Sequence, residues 1–160
     1  MSVVTKGTVT YSGIKYNLWQ RERAIAHQAH IKNVIAVNDD GKTLTANDSG
    51  ALVTLDSSGG TVAVTLPTHA AGLNFHFVQK GATTNAVTIT GATDTLQGVI
   101  FANDGSGDAD ALVITDKTNL LMGTDTVIGD WAKFESDGTN WYVSGQSQVK
   151  GVSDGMTVTG

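Results

Sequence analysis

The chain has 160 residues, with fifteen acidic against ten basic side chains, a net charge of −5, nineteen glycines, one proline and no cysteine. Without cysteine there can be no disulfide, thiolate metal site or cysteine nucleophile. The mild acidity disfavours a nucleic-acid backbone as partner, since that binding needs clustered Lys and Arg. At 16.6 kDa the folded chain is expected to expose roughly 7,600 Å² against about 24,000 Å² unfolded, which leaves room for a core. One domain with appendages is therefore expected. The start lacks the apolar stretch of a signal peptide and no 18-residue apolar run occurs, so no membrane partner is expected. A protein made and used in a cytosol, or assembled there into something larger, fits these features.

Residues 3–16 alternate weakly through Val4, Gly7, Val9, Tyr11, Ile14 and Tyr16, as one or two strands or an extended arm would. Residues 14–40 contain neither Gly nor Pro. Within them Asn17 and Gln20 resemble a helix start, and Leu18, Ile25 and Ala29 would share a helical face interrupted by Arg21, Glu22 and Arg23. So thin an apolar stripe needs a partner surface. Residues 31–37 read as a strand, ended by Asn38-Asp39-Asp40-Gly41.

From Thr43 onward strands and turns alternate. Strands are expected over residues 42–45, 51–55, 61–66, 74–79, 86–90, 99–102, 111–115, 125–128, 131–136 and 141–144, divided by turns such as Ser57-Ser58-Gly59-Gly60 and Asp104-Gly105-Ser106-Gly107. Twenty-two threonines suit pleated surfaces. The expected class is all-β, a small antiparallel sandwich or barrel of jelly-roll type, with an N-terminal arm that contains a short helix. The arm covers residues 1–40, the core domain 41–145 and a polar tail 146–160. The run Met156-Thr157-Val158-Thr159 in that tail is either a flexible end or a strand completed by another subunit. Fragments like Thr-Val-Thr recur at no fixed period, so no repeat is assigned.

The last strong apolar stretch is a hairpin signal. Asp137-Gly138-Thr139-Asn140 separates two aromatic runs, and Gly accepts the positive φ that a turn demands. Ala132, Phe134 and Ser136 share one face, while Trp131, Lys133 and Glu135 share the other; Trp141 and Val143 alternate with Tyr142 and Ser144. Trp131, Phe134, Trp141 and Val143 are the residues with which this hairpin is expected to close the core.

Chemistry-bearing residues are sparse. His27 and His30 stand three apart, but no third ligand follows at a helical interval and zinc wants three or four. His69 and His76 are isolated. Asp104, Asp108 and Asp110 lie in a glycine-rich loop without the alternation of an EF-hand. Asn47-Asp48-Ser49 matches a glycosylation acceptor, with nothing to suggest secretion. Trp131, Trp141 and Tyr142 could form a sugar-stacking platform, although core packing explains most of them more simply. No G-x-S-x-G, phosphate-cradling loop or H-E-x-x-H occurs. No catalytic residue, no metal and no cofactor is expected.

Five segments in order carry a resemblance: Leu44-Thr45-Ala46-Asn47-Asp48-Ser49-Gly50, Val62-Ala63-Val64-Thr65-Leu66-Pro67, Ala71-Gly72-Leu73-Asn74-Phe75-His76-Phe77, Gly91-Ala92-Thr93-Asp94-Thr95-Leu96-Gln97-Gly98 and Ser136-Asp137-Gly138-Thr139-Asn140-Trp141-Tyr142. Together they resemble a small β module of tailed-bacteriophage structural proteins, over about two-thirds of the chain. The resemblance implies a virion protein made in the host cytoplasm. Its most plausible form is a head decoration (cement) protein, often a trimer, seated on the capsid exterior and bound to the major capsid protein. The same kind of module also appears in tail fibres and tail-associated proteins. The leading 40 residues lie outside the resemblance, and a capsid- or subunit-binding arm is expected there, carried by Tyr11, Tyr16, Leu18, Trp19, Arg21, Arg23 and Ile25.

Overall fold

The computed structural model describes residues 8–11, 14–17, 33–81, 84–103, 109–148 and 155–160. The chain divides into two compact units, Met1–Lys32 and Asn33–Gly160. In the first, β1 (Thr8–Tyr11) and β2 (Ile14–Asn17) form an antiparallel hairpin that pairs Thr8 with Asn17 and Tyr11 with Ile14. Asn17 thus ends a strand, and the segment expected to be helical from Leu18 lies outside the described residues.

In the second unit the chain coils. The strands β3 (Val34–Val37), β5 (Leu52–Leu55) and β7 (Asn74–Gln79) lie side by side and parallel in one sheet. Between them β4 (Lys42–Thr43), β6 (Val62–Thr65) and β8 (Val87–Thr90) lie parallel in a second sheet. Parallel neighbours need a crossover, commonly a helix; here the crossover is a strand of the opposite sheet, which covers the inner face of the first. Each sheet keeps one face on the core and one outward, so strands such as β6 and β7 retain the period-two pattern usually associated with antiparallel sheets.

The remaining strands are β9 (Leu96–Asn103), β10 (Ala109–Lys117), β11 (Asn119–Met122), β12 (Trp131–Ser136), β13 (Trp141–Ser147) and β14 (Met156–Thr159). They complete a seven-stranded sheet ordered β10-β9-β13-β12-β7-β5-β3 and a five-stranded sheet ordered β14-β11-β8-β6-β4. The protein is therefore all-β, and both sheets are mixed rather than antiparallel throughout. Among the described residues the only helical turn is a short 3-10 segment, Ala46–Asp48.

Several boundaries differ from expectation. β3 belongs with the body, so the leading unit ends at Lys32 rather than residue 40. The tail is not separate: β13 continues to Ser147, and β14 pairs with β11 of its own chain, with Leu120 opposite Val158. Residues 125–128 are turns rather than a strand, because the Thr126 hydroxyl donates to the Gly123 carbonyl (2.8 Å) and the Asp130 N–H to that of Val127 (3.0 Å). Asp130, almost fully buried, accepts from the Ser147 hydroxyl (2.8 Å) and from the N–H groups of Gln148 (2.9 Å) and Val127 (3.1 Å). It pins this loop to the end of β13.

One core fills the space between the sheets, with Val53, Leu55, Phe75, Phe77 and Ile100 from the larger and Val64, Ile89, Leu120 and Met122 from the smaller. Trp141 packs on Phe75 (ring centroids 5.8 Å) and Phe134 edge-on to Phe77 (5.3 Å). Trp141 and Phe134 are fully buried and Val143 nearly so. Trp131 is not part of this core. It shares parity with Lys133 and Glu135, stands on the outer face and meets His76 edge-on at 5.5 Å. Accordingly, Trp141→Ala should cost about 3–5 kcal/mol in urea unfolding, the usual range for a deleted core aromatic, and Trp131→Ala less than half as much. Equal losses would contradict this division of the two tryptophans.

Candidate functional site

Three turns carry ordered carboxylates, two where the chain crosses between the sheets and one between β12 and β13. In the 3-10 segment the Asp48 carboxylate accepts from the Thr45 hydroxyl (2.7 Å) and the Thr45 N–H (2.8 Å), and these bonds hold its pKa below the usual carboxylate value. Asp56 is lowered in the same way by the Ser58 hydroxyl (2.7 Å) and then the Ser58 N–H (3.2 Å). Between β12 and β13, Asp137 is lowered by the N–H groups of Asn140 (2.8 Å) and Thr139 (2.7 Å), and less by the Tyr142 hydroxyl, which donates at 3.1 Å. Gly138 in this loop has φ +98°, the positive value expected of it.

None of these turns assembles a reactive centre. Asn38, Asp39, Asp40, Asp56, Ser58 and Gly59 line an open depression of about 290 Å³. Among the described residues, no three His, Asp or Glu side chains are grouped to hold a metal. His76 is packed on Trp131, and His69 is half-buried in the connection from β6 to β7. His27, His30, Asp104 and Asp108 lie outside the described residues; Asp110 takes part in β10 opposite Ala102. Within Asn47-Asp48-Ser49, Asp48 is engaged as above and the Ser49 hydroxyl accepts the Asn74 N–H at 3.0 Å.

The three aromatics weighed as a sugar-stacking platform do not share one surface. Trp141 faces the core, and Trp131 and Tyr142, both outward, occupy opposite ends of the hairpin, against Gln146 and Glu135. Of the expected binding arm, Tyr11 and Tyr16 are placed in β1 and β2; Leu18, Trp19, Arg21, Arg23 and Ile25 lie outside the described residues.

Sequence reasoning overlooked the two outer sheet faces, which differ in chemistry. Across the five-stranded sheet one register row reads Thr43, Thr65, Thr90, Asn119, Thr159, a row of hydroxyls and one amide. Asn119 Nδ2 donates to Thr159 Oγ1 at 3.2 Å. The seven-stranded sheet instead turns apolar groups outward, with Val34 60%, Phe101 54% and Val113 67% exposed. The strand parities signalled that an outer face exists; only the register shows which residues share it.

Comparison with protein-family models and with curated proteins gives no match.

The lowered carboxylates fix the sign of an acid effect. A carboxyl whose folded pKa lies below its unfolded value of about 3.9 contributes stability that is present above that value and lost as pH falls through the folded one. The difference in thermal midpoint between the wild type and Asp137→Ala should therefore be present at about pH 6 and shrink towards pH 2. A difference that widens on acidification would contradict the hydrogen bonds assigned to Asp137.

Proposed function

We propose that this is a structural virion protein of a tailed bacteriophage, a decoration protein that binds the outside of the head as a homotrimer and works by binding alone. The observation that carries the reading is the placement of the five resembling segments. All fall within the single compact unit Asn33–Gly160, where they build the 3-10 turn, β6, β7, the β8–β9 connection and the β12–β13 loop. They are parts of one scaffold rather than scattered likenesses. The leading unit, Met1–Lys32, is compact in its own right and carries the β1–β2 hairpin, which suits an arm that grips neighbouring subunits or shell proteins.

The physical logic of such a role needs no reactive group. Each arm's contact can be modest, because three arms tied to one trimer act at a high effective concentration. A protein that binds the assembled shell and not its separated subunits stabilises the shell by mass action. A cyclic trimer would set all three arms at the same level along its axis, 120° apart.

The test is rebinding. Purified full-length protein should co-sediment with intact shells of the encoding phage prepared without it, and not with dissociated capsid subunits. Failure to bind intact shells would overturn the reading. Gold-labelled antibody found on tails instead of heads would move the protein to the tail-associated alternative.

A further inference from the structure

Four strands stand at sheet edges, β10 and β3 in the larger sheet, β14 and β4 in the smaller. β3 and β14 have four residues each and β4 has two, whereas β10 has nine. Among the described residues β10 pairs with β9 alone, so its far side carries a row of N–H and C=O groups without a ladder partner.

Natural edges are blunted by shortness, a bulge, proline or charge. β10 has its bulge only near its end, where the register shifts between Ile114 and Lys117 and Asp116 takes φ +50°. From Ala109 to Ile114 the register with β9 is unbroken. Between Asp110 and Asp116 the strand holds neither charge nor proline. Val113, on the outer face of this stretch, is 67% exposed.

We propose that a second copy of the chain docks on this edge, β10 beside β10 and antiparallel, about a two-fold axis perpendicular to the sheet at Val113. What satisfies a strand edge is another strand, and the sequence of β10 singles out its own. Reversed upon itself at Val113, the strand sets Ala111 opposite Thr115, Leu112 opposite Ile114 and Val113 opposite its equivalent. Small or β-branched residues then meet on the outer face and aliphatic ones on the inner, pairings that suit an antiparallel ladder. One strand supplies both halves of its own complement, as an isologous contact requires. A ladder over these five residues holds about four to six backbone hydrogen bonds. Such an axis keeps each face of the sheet on its own side. Val99 lies opposite Val113 on β9, so the outer row reads Val99, Val113, Val113, Val99 across the junction. On the inner face Leu112, half-buried at the rim of the core, gains the partner's Ile114 as a neighbour. The same reversal sets Asp110 opposite Asp116, but that pair falls beyond the five-residue ladder. Asp116 lies in the bulge, and its carboxylate is drawn toward β9 by Gln97 Nε2, which donates to it at 2.6 Å. The inference stands on this edge and does not rest on the virion reading.

The test is the mass of the full chain in solution, by sedimentation equilibrium. An even number of chains is expected: two, or six where a cyclic trimer also forms. A monomer or a trimer would overturn the proposal. Val113→Lys and Val113→Glu should each weaken association at least about tenfold by setting like charges opposite each other, while the circular dichroism stays that of the wild type. Mixed in equal amounts, the two variants should associate again. A folded variant of unchanged mass, or a mixture that does not recover, would overturn the axis at Val113. Because the chain has no cysteine, Val113→Cys adds a single thiol, which a short bis-maleimide should join to its equivalent in the second copy. The equally exposed Ile128 supplies the control: Ile128→Cys should stay unlinked. An unlinked Val113→Cys, or equal linking of the two, would overturn the proposal.

Discussion

The whole body depends on the insertion of the β12–β13 hairpin between β7 and β9. The coil formed by β3 to β8 leaves β7 with a free side, and β12 fills it antiparallel, with Phe134 opposite Phe75. β13 then offers its other side to β9, parallel, so that the chain returning from the second sheet finds a partner. The aromatic contacts lie along this seam: Trp141 on Phe75, Phe75 on Phe77, Phe77 on Phe134. Large rings contribute heavily here because each removes much apolar surface from water and fits its neighbour at an angle rather than flat. Gly98 completes the seam. It sits opposite Val143 at φ +143°, and a Cβ there would collide with the Val143 carbonyl oxygen. Close approach of β9 and β13 therefore requires glycine at that position.

A seam of this kind gives the body one core and two outer faces. The two sheets share one core, yet their outer faces are chemically unlike. Threonine hydroxyls line up across the smaller sheet, while the larger exposes Val34, Phe101 and Val113 among polar side chains. Alternation along each strand allows this, because the residues that face the core place no demand on those that face out. The Asp130 staple and the turns capped by Asp48, Asp56 and Asp137 hold the loops around these faces in place.

Much of the body was legible in the sequence because its strands obey a period of two. Residues 74–79 and 131–136 were bounded as observed, and the parity within the hairpin put Ala132, Phe134 and Ser136 on one face, the face that the structure turns inward. The same parity placed Trp131 outside, and its assignment to the core came from counting aromatics instead of following the alternation. The coil was not legible. Val34 stands opposite Leu52 but Leu52 opposite His76, so successive circuits differ in length and leave no fixed repeat to detect. Parallel pairing was hidden too, since a strand crossover preserves the one-sided pattern of an antiparallel sheet. β11 escaped notice because Asn119-Leu120-Leu121-Met122 lacks β-branched residues. The final strand was left as a flexible end or a strand completed by another subunit because its partner within the chain, β11, was the one left unrecognised.

The central claim is that a self-sufficient β body carries an attachment function located in its leading unit. The most direct measurement compares the full chain with residues 33–160 alone, following circular dichroism, urea unfolding and co-sedimentation with intact phage shells in parallel. The account predicts that the shortened protein keeps the β spectrum and a cooperative transition and loses shell binding. Normal binding by residues 33–160, or loss of the folded body on removal of the leader, would contradict it.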